Sequence, residues 1–220
     1  MDATLNALKR GSEINLSAFA RMRTDSYVLL ASVLGEPPTD GLRKIIGEIE
    51  WEEIIPYPLQ RTLSALREAG CEYSIESMKT EFDKLFIGLG CGEIIPYASW
   101  YQEKRIQSRP LATLRTDLNR LGIMKKNTGV ETEDHAGSLC EVMAIISVER
   151  WGCPLKKQAD FFSRHLMSWM PAFFTDLSAA KSAKFYRRVG AFGSSFMEHE
   201  NFYLGFYLHP TSPRKKEARQ

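Results

Sequence analysis

Residues 16–35 read Leu-Ser-Ala-Phe-Ala-Arg-Met-Arg-Thr-Asp-Ser-Tyr-Val-Leu-Leu-Ala-Ser-Val-Leu-Gly, and within them Leu16, Phe19, Ala20, Tyr27, Leu30, Ala31 and Leu34 recur at helical steps. That period lines one face of an α-helix, whereas a half-buried strand alternates every second residue. Gly35 and then Pro37 and Pro38 supply the stop. The same period returns along the chain. Leu42, Ile45, Ile46 and Ile49 predict a second helix. Leu59, Thr62, Leu63 and Leu66 predict a third, with Gly70 as its C-cap. Ser74 caps a fourth through Met78, Phe82, Leu85 and Phe86. Leu111, Leu114, Leu118 and Leu121 form the next stripe, and Leu139, Val142, Met143 and Ile146 another. Pro154 opens a helix carrying Ala159, Phe162, His165, Leu166 and Trp169, which Pro171 ends or kinks. Phe185, Val189, Phe192 and Phe196 belong to a last helix, where Gly190 and Gly193 permit close helix contact. With no βαβ alternation and no hairpin series, the class is all-α. Roughly ten helices are expected in two lobes, residues 1–121 and 134–210. Residues 122–133 form a hinge between them and residues 211–220 a disordered basic tail.

A chain of 220 residues with 44% apolar and 25% charged residues has the composition of a globular protein. Its 29 basic and 27 acidic residues leave a formal charge of +2, so no global field draws it to nucleic acid or a membrane surface. Cys71, Cys91, Cys140 and Cys153 form no CxxC pair, which argues against a zinc site and a disulfide framework. The early apolar run from Tyr27 to Leu34 is too short to span a bilayer. A cytoplasmic protein without stable membrane insertion is expected.

Chemistry-bearing residues concentrate in Glu131-Thr132-Glu133-Asp134-His135, directly before an apolar helical pattern. Acids at a helix start are favoured by exposed N–H groups and the helix dipole, so capping is the plain reading. Asp134 with His135 also suggests half of an acid/base dyad. Neighbours on a helix diverge by about 100°, however, and no nucleophile elbow or His-Glu-x-x-His motif supplies a partner. No catalytic residue and no metal site is assigned. Glu198-His199-Glu200 reads as a solvated face, and His165 as a hydrogen-bonded core or boundary residue. Gly88-Leu89-Gly90-Cys91-Gly92 lacks the Lys-Ser/Thr of a phosphate loop and follows a helix rather than a strand. Tyr97, Trp100 and Tyr101 are either core anchors or the wall of a groove for an apolar peptide. Glu48, Glu50, Glu52 and Glu53 make a local acidic patch that suits a cationic partner.

Three segments together resemble the TorD/DmsD family of redox-enzyme maturation chaperones. The first is Phe82-x-x-Leu85-Phe86-x-Gly88-x-Gly90 followed by Pro96-x-x-Ser99-x-Tyr101; the second is Glu131-x-x-Asp134-His135 with Leu139 and Met143. The third contains Phe162, His165, Leu166, Trp169, Pro171 and Phe173, then Phe185, Tyr186 and Gly190. Thr132 and Ile95 stand where the family pattern has proline. The resemblance implies an all-helical cytoplasmic chaperone, not an enzyme. Its partner is the twin-arginine signal peptide on the precursor of a molybdenum-containing oxidoreductase, whose export it delays until cofactor insertion. Leu85, Phe86, Asp134 and His135 carry over by motif as signal-peptide-binding residues. Tyr101, from the first motif, lines the groove with them, and to these the chemistry of an apolar groove beside acids adds Trp100 and Glu131. The chaperone itself needs no cofactor; weak guanine-nucleotide binding and domain-swapped dimers besides monomers are implied by the resemblance alone. The rival readings are an all-α enzyme using His135 as acid/base and a helical interaction module without catalysis.

Overall fold

The structure is a computed structural model that describes residues 2–49, 55–88, 92–124 and 131–208, with side chains from residue 18 onward. The central part of the 122–133 hinge, the 211–220 tail, Gly90, Cys91 and the acids Glu50, Glu52 and Glu53 lie outside the described residues. Among those described are ten α-helices and no strand. They are α1 (Asp2–Gly35), α2 (Asp40–Glu48), α3 (Tyr57–Glu72), α4 (Ile75–Phe82), α5 (Ala98–Glu103), α6 (Arg109–Leu121), α7 (Ala136–Ser147), α8 (Leu155–Phe162), α9 (Met170–Ala179) and α10 (Phe185–Leu208). The all-α class read from helical spacing is the class observed.

Local signals set several boundaries. Thr39 and Ser74 cap α2 and α4 by accepting from Leu42 N and Ser77 N. The expected single helix through Phe86 instead changes pitch, because a π-helical turn, Asp83–Ile87, follows α4. A second π turn, Ser163–Met167, follows α8. Pro171 therefore starts rather than ends a helix: it occupies the first turn of α9, where a missing N–H costs nothing. Pro154 is the residue before α8 rather than its first, and α3 runs through Gly70 to Glu72.

The halves of the chain on either side of residues 122–133 meet in one core. Helix α1 packs along α7, while α10 crosses α3 and lies against α9. Tyr27, Leu30, Leu63 and Met78 from the first half and Leu139, Phe162, Phe174 and Phe196 from the second belong to the same buried cluster. The α9–α10 approach depends on the two glycines of α10. A Cβ at Gly193 would stand 2.3 Å from the Phe174 ring, and one at Gly190 2.8 Å from the Phe174 carbonyl oxygen.

A buried polar network fastens α1 to α10. Arg23 Nε donates to Glu200 at 2.6 Å, its Nη2 donates to Glu200 at 3.0 Å and to Gln158 at 3.1 Å, and Tyr27 OH donates to Glu200 at 2.9 Å. Glu200 is fully buried, which overturns the solvated-face reading for that residue, while Glu198 is exposed as that reading expects. The helical phase carried the signal: Phe192, Phe196, Glu200 and Leu204 follow one another at four-residue steps, all on the inward face.

Candidate functional site

The site is built by two chain segments that the family-like motifs mark and that the fold sews together. The first begins at the π turn after α4. Gly88, at φ 55°, closes that turn by donating its N–H to Asp83 O at 2.7 Å. The chain then doubles back, with Glu93 N donating to Lys84 O at 3.2 Å and Ile94 N to Leu85 O at 2.8 Å. A Cβ at Gly92 would lie 2.2 Å from Leu85 O, so only glycine permits this return. The glycines flanking this loop are there for backbone geometry.

The returning strand-like segment meets the second motif. Ala136 N donates to Pro96 O at 2.8 Å and Ala98 N to Asp134 O at 3.0 Å, an isolated antiparallel bridge centred on Tyr97 and His135. Side chains reinforce it. Asp134, fully buried, accepts Ser99 N–H at 3.0 Å in the first turn of α5, and the Thr132 hydroxyl donates to its other oxygen. Thr132, standing where proline was expected, thus secures the turn by a hydrogen bond instead of a ring. His135 N donates to Thr132 O at 3.2 Å, and its ring caps α7 by accepting Gly137 N–H on Nδ1 at 3.1 Å.

The remaining residues expected at the site spread over the surrounding elements. Leu85 is buried in the core beneath the return loop. Phe86 is half-buried between Phe82 and Tyr186, at ring distances of 5.0 and 5.3 Å. Trp100 is half-buried at the surface with Lys104 Nζ 5.7 Å from its ring. Tyr101 faces α9: its ring lies 5.3 Å from Trp169, and its hydroxyl donates to Asp176 at 2.8 Å. Burial and the Asp176 carboxylate together push that hydroxyl's pKa well up. Glu131 is partly exposed, with Oε2 3.5 Å from His135 Nδ1. Trp100, Tyr101, Asp134 and His135 therefore sit around one junction. Leu85 is tied to the return segment by its carbonyl, which accepts the Ile94 N–H.

Beside the junction is a polar cavity of about 300 Å³, walled by Gln102, Glu103, Arg109, Thr113, Arg164 and His165 and backed by Asp134. Asp117 braces its walls, accepting from Arg164 at 2.5 Å, Arg120 at 2.9 Å and His165 Nε2 at 2.9 Å. Burial works against the Asp117 charge, yet the bonds from His165 and Arg164 prevail and hold its carboxyl below the usual range. For His165 burial prevails over the pull of Asp117 and lowers its proton affinity, as suits the hydrogen-bonded boundary residue expected there. A second opening, of about 380 Å³, is an apolar groove between α1 and α2 lined by Phe19, Met22, Val28, Leu42, Ile45 and Ile49.

Two anchors escaped the sequence reading. Besides the Arg23–Glu200 pair, buried Glu81 accepts the backbone N–H groups of Lys184, Phe185 and Tyr186 at 2.7, 3.1 and 2.7 Å, capping α10 from a helix about a hundred residues away. Nothing near Glu81 in the chain announces this, because its partners are backbone groups. Ser99 Oγ has no hydrogen-bond partner among the described residues, while His135 Nδ1 accepts the Gly137 N–H. Among the described residues no group of three His, Cys, Asp or Glu could hold a metal ion, and no helix is long and apolar enough to cross a membrane.

The chain is 24% identical over 136 residues to the chaperone protein TorD of Vibrio cholerae serotype O1 strain El Tor Inaba N16961, covering 58% of this chain and 62% of that one. It is 22% identical over 143 residues to TorD of the classical strain Ogawa 395, covering 61% and 65%. The matches thus span under two thirds of the length of these curated relatives. The model of the nitrate reductase delta subunit family matches residues 53–175, more than half of the chain, including the return loop and the Asp134–His135 junction. The chain belongs to this family of TorD-like chaperones, the TorD/DmsD group that its three motifs resemble.

Proposed function

We propose that this protein is a non-catalytic maturation chaperone of the cytoplasm. It binds the twin-arginine signal peptide on the precursor of a molybdenum-containing oxidoreductase and delays export until the cofactor is in place. The observation that carries the reading is the junction itself: Pro96–Tyr101 and Thr132–Gly137, from two of the three segments that resemble the family, are bonded to each other beside a polar cavity. The chaperone names of the relatives and the family match support the same class.

The burial of each residue divides the roles. Trp100, Glu131 and the exposed edge of Phe86 are accessible and contact the peptide, its apolar part on the rings and its basic part on the carboxylate. Asp134 and His135, buried and hydrogen-bonded, act as positioning residues that hold the two segments in register, with Leu85 and Tyr101 fixing the supporting layer.

Isothermal titration calorimetry with a synthetic twin-arginine peptide tests this. Trp100→Ala and Asp134→Ala with His135→Ala should each weaken binding at least about tenfold, and lysines replacing the paired arginines should weaken it further. Unchanged affinity in a double variant whose far-ultraviolet circular dichroism is native would remove the junction from the binding site.

A further inference from the structure

Lys104 stands at a backbone position that favours glycine. It closes α5 in the left-handed region, at φ 53° and ψ 27°, and its N–H donates to Trp100 O at 2.8 Å. Glycine adopts that conformation without strain, whereas a residue with a Cβ does so at a cost in stability. The side chain that is kept reaches back over two rings: Lys104 Nζ lies 5.7 Å from the centroid of Trp100 and 5.4 Å from that of Tyr101. Both distances are within cation–π reach. Lys104 Nζ has no hydrogen bond or ion pair among the described residues, so the rings are what hold it.

The rings are fixed and the lysine is not. Tyr101 packs against Trp169 and Phe173, at ring distances of 5.3 and 6.1 Å, and its hydroxyl is tethered to Asp176 on α9. That bond, donated to a carboxylate, also pushes electron density into the Tyr101 ring and makes its face a better seat for a cation. One residue on, Gln102 Nε2 donates to Ser168 Oγ at 2.9 Å and holds α5 against the turn before α9. Lys104 is exposed, on a flexible stem. Two π faces held in place, with a detachable cation over them, make a cation site that the chain fills with its own side chain.

We propose that the face shared by Trp100 and Tyr101 is a binding site for a guanidinium group, which Lys104 occupies in the free protein and vacates when an arginine of the ligand arrives. A planar guanidinium stacks on aromatic faces and is more weakly hydrated than an ammonium, so it displaces the lysine. The site thereby ranks arginine above lysine, and Lys104 lowers the affinity of every incoming cation by competing for the same face. The identity of the ligand alone rests on the signal-peptide reading: one arginine of the pair takes this face, and the apolar part of the peptide keeps the exposed edge of Phe86.

The test follows the Lys104 ε-methylene signals of the full chain by ¹H–¹³C NMR, assigned by their absence in Lys104→Gly. The rings should shift them upfield, and added L-argininamide should move them to the position of a free lysine, with about fivefold more L-lysinamide needed for the same effect. Lys104→Gly clears the face at a position that suits glycine, and calorimetry should find a twin-arginine peptide bound about fivefold more tightly than by the native chain. Arg105, the exposed neighbour, makes no cation–π contact among the described residues, so Arg105→Gln removes the same charge and should change that affinity less than about twofold. Lys104 signals at the free-lysine position from the start, signals unmoved by saturating argininamide, or equal gains in the two variants overturn the site. Displacement of Lys104 by argininamide with no binding of the peptide would refute the signal-peptide reading and leave the guanidinium site standing. Peptide binding that leaves the Lys104 signals in place would do the reverse.

Discussion

The backbone N–H of Ser99 donates to the buried carboxylate of Asp134 at 3.0 Å, joining the first turn of α5 to the entrance of α7 across thirty-five positions of chain. The acid that looked like a catalytic or ligand-contacting group in the sequence is thereby a clasp. Its two oxygens serve Ser99 N–H and the Thr132 hydroxyl, both neutral donors that lose their acceptor if it is removed.

Asp134→Ala should lower unfolding free energy by about 2 kcal/mol, since it strands buried donors. Asp134→Asn keeps a carbonyl acceptor and should cost roughly half as much. Urea titrations followed by circular dichroism measure both, and equal stability of the alanine variant and the native chain would contradict the clasp.

Glu81 offers a sharper case. Its carboxylate is shared by three N–H groups at the start of α10, the helix that packs on α3, α8 and α9. Glu81→Ala removes a charged acceptor from a helix N-terminus and should destabilise by about 3 kcal/mol, more than loss of an ordinary exposed cap. Glu81→Gln should recover part of this. Thermal unfolding of the two variants side by side decides the order.

For Arg23 and Glu200 the expected outcome is strong non-additivity. Arg23→Met or Glu200→Leu alone leaves an uncompensated buried charge and should cost about 3–5 kcal/mol. The double variant, with both charges gone, should be much closer to the native chain than the sum of the singles. A double-mutant cycle in urea measures the coupling, and additive losses would mean that the pair is not held as one unit.

The Asp117–His165 contact gives a direction with pH. Asp117 has its carboxyl lowered in the folded protein, so its contribution is present above the unfolded carboxyl value and is lost as pH falls through the folded one. His165 is lowered too, by burial, so below the ordinary histidine value the unfolded chain binds the proton that the folded chain refuses. Both effects make stability fall on acidification, the histidine acting first. His165→Gln should flatten the first part of the fall, read as the urea midpoint measured between about pH 7 and about pH 5.

The helical class, the stop signals and the three motif segments were legible because they depend on local spacing, and a period of three to four residues survives in the sequence whatever the helix packs against. Gly190 and Gly193 were legible for the same reason: two gaps in an aromatic stripe mark where another helix must come close. The pitch changes at Asp83–Ile87 and Ser163–Met167 were not, since both segments keep helical residue types while their backbone bonds shift by one.

The roles of Asp134, Glu81 and Glu200 belong to the tertiary structure. A carboxylate is the same residue on a wet surface, in a cap or in a buried pair, and its partner decides which: Ser99 N–H, the start of α10, and Arg23 here. Those partners lie 35, about 100 and 177 positions away, beyond the reach of any local pattern. The sequence by itself determined the helices and the family-like motifs. The folded chain decided which of their charges face water and which fasten the core, because desolvation must be compensated only where packing has removed the water.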